Sequence, residues 1–148
     1  MQRREILKTV AGAVAVAMVA PALAATEGHE HHHDHGGGKP FAGVIDTSSD
    51  CLKTGEACLA HCLVLLGRGD KEMAGCAQSV NELLATCTAL MKLAVQGSSF
   101  TPAMARMAAD VCASCENECR KHADQHAECK ACADACADCL KACKAITA

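Results

Sequence analysis

The chain has 148 residues, a formal charge of −3 and an aromatic content of 1%. That length suits one domain, and two Phe without Trp or Tyr exclude a stacking platform for single-stranded nucleic acid. With no long basic run, neither nucleic acid nor an anionic membrane surface is an expected partner. The anomaly is the sulfur: 13 cysteines.

Residues 1–24 read as a leader. Arg3-Arg4 and Glu5-Ile6-Leu7-Lys8 precede an apolar, small-residue run from Val10 to Val19, and Ala22-Leu23-Ala24 offers a small-x-small cleavage site. An arginine pair just ahead of an apolar helix is the pattern of a twin-arginine export signal. The run is too short and too Ala-rich for a membrane span, so none is expected after cleavage. The expected location is extracytoplasmic, in the periplasm or the lumen of an internal membrane. Residues 25–46 read as a flexible linker, carrying His29, His31, His32, His33 and His35 ahead of a glycine run and Pro40. Such a segment builds no packed core and can bind a divalent metal weakly.

Over 47–148 the punctuation predicts four helices. Thr47-Ser48-Ser49 offers N-caps for the first, which runs to about Leu66. Gly67-Arg68-Gly69-Asp70 is a turn, with Asp70 capping a second helix that runs to Gln96 and stops at Gly97. Thr101-Pro102 starts the third as N-cap and first-turn proline; it ends near His122. Asp124 caps a fourth that runs to about Ile146. Short connections make neighbours antiparallel, which predicts an all-α, up-down-up-down four-helix bundle.

At about 100° per residue, the cysteines fall on one stripe of each helix. Cys129, Cys132, Cys136, Cys139 and Cys143 span an arc of about 80°; Cys112, Cys115 and Cys119 span about 60°. Cys51, Cys58 and Cys62 span about 40°, and Cys76 and Cys87 about 20°. Lys130, Asp134, Asp138, Lys141 and Lys144 lie opposite the stripe of the fourth helix. The cysteines therefore line the interior and the charges meet solvent.

Cysteine as a small core hydrophobe fails on volume. Beyond Thr101 the large aliphatics are Val111, Leu140 and Ile146, aided by Met104 and Met107, too few for native density. A disulfide scaffold fails on geometry: residues three or four apart on a helix hold their Cβ atoms roughly 5–6 Å apart, against about 3.5–4.5 Å in a disulfide. An odd count also leaves one thiol over. Metal remains. Zinc ribbons place CxxC pairs on turns in closed sets of four, and iron–sulfur proteins use C-x2-C-x2-C-x3-C-P or similar runs. Neither pattern is present. Cu(I) accepts few ligands and tolerates shared thiolates, so the CxxxC pairs Cys58/Cys62, Cys115/Cys119, Cys132/Cys136 and Cys139/Cys143 suit it as two-sulfur sites. CxxC spacings (Cys112/Cys115, Cys129/Cys132, Cys136/Cys139) join those sites into columns that can take multiple ions per chain.

A twin-arginine leader, a His-rich linker and a bundle lined with cysteines at CxxxC spacing resemble, over the whole chain, the exported copper storage proteins of methane-oxidising bacteria. The resemblance implies Cu(I) bound inside a preformed bundle, a homo-oligomer that is a tetramer, and copper held for a copper-dependent enzyme as recipient. In this topology His61, Met73, His122 and His126 share one mouth with Cys62, Cys76, Cys119 and Cys129. His61 and Met73 are the candidate non-cysteine ligands of a soft loading site; the plain alternative is a surface histidine and a packing methionine. Met91 and Met104 are expected to face inward near the closed end as filler. No enzyme is expected, because a dithiol oxidoreductase needs its CxxC at a helix N-terminus in a βαβ setting. A copper chaperone would expose one site rather than bury a column; detoxification is a further alternative.

Overall fold

The computed structural model describes residues 40–148; the leader and the histidine cluster lie outside the described residues. Four helices follow in order: α1 (Ala42–Gly67), α2 (Ala74–Val95) after a 3-10 turn at Lys71–Met73, α3 (Thr101–Arg120) and α4 (Ala127–Ala145). Each packs on its two ring neighbours, α1 on α2, α2 on α3, α3 on α4 and α4 on α1, and the diagonal pairs do not pack on one another. This is the four-helix bundle that the punctuation predicts. No helix among the described residues is long and apolar enough to cross a membrane.

The boundaries show where local signals lose to burial. The first helix begins at Ala42, not Thr47, so residues 42–46 belong to the bundle rather than to the linker. Val44 is 1% exposed, and Phe41 and Ile45 pack against the same core, so the apolar stripe extends the helix past its apparent caps. Thr47 does not cap; its Oγ1 donates back to the Gly43 carbonyl at 2.8 Å. Asp70 does cap, accepting from Glu72 N at 3.2 Å, but the turn it starts is 3-10 before α2 proper. Gly97, at φ +62°, closes α2 as expected. Its N–H donates to Ala94 O, and Ser98 N–H donates to Leu93 O, each at 3.0 Å, the pairing of a left-handed C-terminal cap.

Two further caps are corrected. The N-cap of α3 is Phe100 and that of α4 is His126. Thr101 is already inside its helix, with Pro102 in the first turn. Asp124 sits in the turn after α3, which ends at Arg120 rather than His122. The His122 carbonyl accepts from both Gln125 N, at 3.1 Å, and His126 N, at 3.0 Å. Local backbone pairing thus takes up the segment where the aspartate cap was expected.

Large apolar side chains come mainly from α1 and α2. Val80, Leu83, Leu84 and Leu90 are buried, with Leu52, Leu59 and Leu66 half-buried beside them. Gly55 permits close approach here, since a methyl on it would lie 2.9 Å from Leu84 Cδ2. Leu63 stays outside this apolar face, 57% exposed; following Cys62 by one residue, it points about 100° away from the sulfur stripe. Met91 and Met104 are half-buried, and Met104 packs against the core as expected. In α3 and α4 the inner face is alanine and cysteine. An exposed charge network straps these two helices together: Arg120 Nη1 donates to Asp134 Oδ1 at 2.6 Å, Arg120 Nη2 to Glu116 Oε1 at 3.1 Å, and Lys130 Nζ to Asp134 Oδ2 at 2.7 Å.

Because α1 and α2 bury aliphatic side chains of their own, the reduced, metal-free protein should already be helical by far-UV circular dichroism. A random-coil spectrum would contradict this. Leu83→Ala should lower the stability of that metal-free form by about 2–5 kcal/mol in chemical denaturation, the cost of an unfilled core site.

Candidate metal centre

All 13 cysteines are fully buried and all are free thiols. Helical periodicity alone turns them inward, and the ring of four helices then brings the stripes face to face. Four groups of sulfurs result, in each of which the Sγ atoms all lie within 4.8 Å of one another. At the end of the bundle shared by the end of α1 and the start of α4 lie Cys58, Cys62, Cys76 and Cys129. Next come Cys58, Cys119 and Cys132, then Cys115, Cys132 and Cys136. Deepest is a group with one sulfur from each helix, Cys51, Cys87, Cys112 and Cys139.

The groups overlap. Cys58 and Cys132 each belong to two of them. Cys136 of the third group and Cys139 of the deepest sit one helical turn apart on α4, so the two groups adjoin. Cys143 extends the column from Cys139 at 4.0 Å. The shortest sulfur–sulfur hydrogen bond, Cys76 Sγ to Cys119 Sγ, is 3.6 Å, well beyond the ~2.05 Å of a disulfide, and all thiols are free. A single Cu(I) seated between two such sulfurs fits without breaking a covalent bond.

The arrangement differs from the sequence reading in one respect. Within a helix the cysteines do not parse into sets of four, but across helices they do so twice. Sequence spacing carries no information about which turn of one helix faces which turn of its neighbour. CxxxC proximity nonetheless holds, with Cys115 and Cys119 sulfurs 3.9 Å apart. Two four-sulfur groups are also places where Zn(II) can sit.

Burial sets the acid–base state at the mouth. It pushes the Cys62 and Cys129 thiols above their ordinary value, with the Cys58 charge adding to the effect. Cys58 moves the other way, because thiols of Cys119, Cys132 and Cys76 hydrogen-bond to its sulfur. Cys115 and Cys139 are lowered similarly, chiefly by Cys119 and by Cys112.

His61 and His126 do meet at the mouth. His61 Nε2 lies 3.0 Å from His126 Nδ1, and His61 Nδ1 lies 3.7 Å from Glu128 Oε2. The rings are tilted at 56° with centroids 4.8 Å apart. Met73 ends the 3-10 turn ahead of α2, three residues before Cys76, and is 1% exposed. His122 is half-buried and has no side-chain hydrogen bond among the described residues. Glu128 was not anticipated as a neighbour of His61, since only the α1–α4 packing brings them together.

The profile of the Csp family, copper storage protein, matches residues 38–148. The chain belongs to the copper storage protein family. Among solved structures it is similar to apo copper storage protein 3 from Bacillus subtilis, at 30% identity and TM-score 0.64, covering 72% of this chain and 98% of that one. A Cu(I)-bound form, BsCsp3, aligns at 30% identity and TM-score 0.63, over 71% and 95% of the two chains. The copper storage protein Ccsp from Streptomyces lividans, loaded with 10 copper equivalents, aligns at 29% identity and TM-score 0.67 over 75% and 88%. No curated protein matches. Copper is thus the metal to which the family assigns this sulfur column.

Thiols held protonated by burial give a defined pH response. Raised in the folded state, Cys62 and Cys129 contribute stability below their unfolded value of about 9.0, and this is lost as pH climbs toward their folded values. The reduced, metal-free protein should therefore melt at progressively lower temperature as pH rises above about 9. Metal binding must displace these protons, so Cu(I) affinity should fall as pH falls. Anaerobic thermal melts and competition titrations across pH check both signs.

Proposed function

We propose that this bundle stores many Cu(I) ions per chain as a continuous copper–thiolate column. The observation that carries the reading is the overlap of the sulfur groups, with Cys58 and Cys132 each shared by two of them. A site for one ion needs no such sharing, whereas a store does, because bridging thiolates let ions and sulfurs approach equal numbers. The relatives support it: one is described as Cu(I)-bound and another as loaded with 10 copper equivalents. All 13 cysteines are the proposed ligands, and the role is non-enzymatic.

His61 and Met73 are the proposed loading ligands at the mouth, with His126 beside His61. Imidazole and thioether are softer than water or carboxylate and hand Cu(I) on to thiolate. The twin-arginine pattern over 1–24 supports export to an extracytoplasmic compartment in a folded state, with the linker that follows it ending where α1 begins at Ala42. A homotetramer and delivery to a copper enzyme complete the proposal, both carried over from the family resemblance. A chaperone or detoxifying role remains the competing use of the same metal; a chaperone would hold a single ion.

Anaerobic Cu(I) titration against a chromophoric chelator should reach on the order of one Cu(I) per thiolate, while Zn(II) saturates at a few per chain. Cys132→Ala should lower the capacity stepwise and leave the other groups occupied. Saturation by one tight Cu(I), or complete loss of binding in that variant, would refute storage. His61→Ala should slow loading in stopped-flow measurements while leaving the final capacity nearly unchanged; loss of several ions would place it in the store itself.

A further inference from the structure

Two hydroxyls among the described residues are fully buried without a hydrogen-bond partner, Ser48 Oγ and Thr101 Oγ1. A helical serine or threonine has an easy local remedy, bonding back to the carbonyl one turn earlier. Thr47 and Thr54 both take it, donating to Gly43 O and Asp50 O at 2.8 Å. Ser48 does not, and its hydroxyl stays unpaired inside the bundle.

The position of Ser48 gives that hydroxyl a use. It lies three residues before Cys51 on the buried stripe of α1, about 4.5 Å along the axis. Cys51 belongs to the deepest sulfur group, with Cys87, Cys112 and Cys139. In the metal-free protein Cys51 Sγ donates to the Ala135 carbonyl at 3.3 Å, so this sulfur acts as a donor and offers Ser48 little. Thr101 is placed differently. It opens α3, with Ala105 and Ala108 buried between it and Cys112, about 16 Å along the axis.

We propose that Ser48 is a hydrogen-bond donor reserved for the copper-loaded state of the deepest sulfur group. Loading exchanges the S–H proton of Cys51 for Cu(I), and the proton leaves to solvent with no change of oxidation state. The sulfur can then no longer donate to Ala135; it becomes a charged acceptor in a dry core. A neutral thiol accepts weakly, whereas a hydrogen bond to an anionic group is roughly twice as strong. The orphaned hydroxyl of the empty protein is therefore satisfied by the cargo. Ser48 is a positioning residue for the cluster, not a ligand.

This inference rests on the storage reading, and wild-type titration tests that reading first: uptake of no more than a single Cu(I) removes both. With storage intact, Ser48→Ala, Ser48→Thr and Thr101→Val are compared by melting of the reduced metal-free forms and by anaerobic Cu(I) competition. Ser48→Ala should melt no lower than wild type when empty, yet yield the Cu(I) of the deepest group with about tenfold weaker affinity. Ser48→Thr keeps the donor and should restore wild-type affinity, while Thr101→Val leaves it unchanged. Wild-type copper affinity in Ser48→Ala overturns the proposal. Equal weakening in Ser48→Ala and Thr101→Val does so too, as does an empty Ser48→Ala protein that melts lower or fails to fold, because the hydroxyl would then be serving the empty fold.

Discussion

Four helices that touch only their ring neighbours enclose a central space, and in this protein the space is lined with thiols. Everything else about the bundle follows from the need to keep that lining dry and correctly faced. Alanine and cysteine on the inner sides of α3 and α4 are small enough for sulfurs of different helices to meet at the centre. An ordinary leucine-lined bundle would fill the space and hold no cargo. The thiols also satisfy one another in the empty state, with sulfur–sulfur contacts of 3.6–4.0 Å through the upper part of the column.

That choice moves the work of folding elsewhere. Apolar burial is concentrated in α1 and α2, where Val80, Leu83 and Leu90 are fully buried and Gly55 lets Leu84 approach closely. The other hairpin has little aliphatic surface to bury and relies on the α1–α2 pair as a platform. Its strap of Arg120, Asp134, Glu116 and Lys130 lies in solvent, where such pairs add little each. The division separates two demands that conflict in one core: aliphatic packing for stability, and facing thiols for metal.

The two ends of the column are chemically unlike. The mouth carries His61, His126 and Glu128 within hydrogen-bonding or ion-pairing reach, donors that exchange readily with water. The interior is sulfur alone, and beyond it lie Val44, Leu90 and Ala94 as an apolar plug. A gradient from nitrogen and oxygen donors to thiolate is a gradient of increasing affinity for a soft ion. For the proposed loading site it sets a direction of filling without any moving part.

Much of this is written in the order of residues. The 3.6-residue period alone shows that every cysteine shares a face with the others on its helix, because a helix fixes angular position from spacing. Gly97, Asp70 and Pro102 likewise mark real boundaries, since each acts through its own backbone geometry. What tertiary structure decided is the level of one helix against the next. Only packing places Cys51, Cys87, Cys112 and Cys139 at one height, sets Glu128 beside His61, and extends α1 back to Ala42 against apparent caps at Thr47 and Ser48. Axial offset between helices depends on side chains meeting across an interface, and no local period in a single chain encodes it.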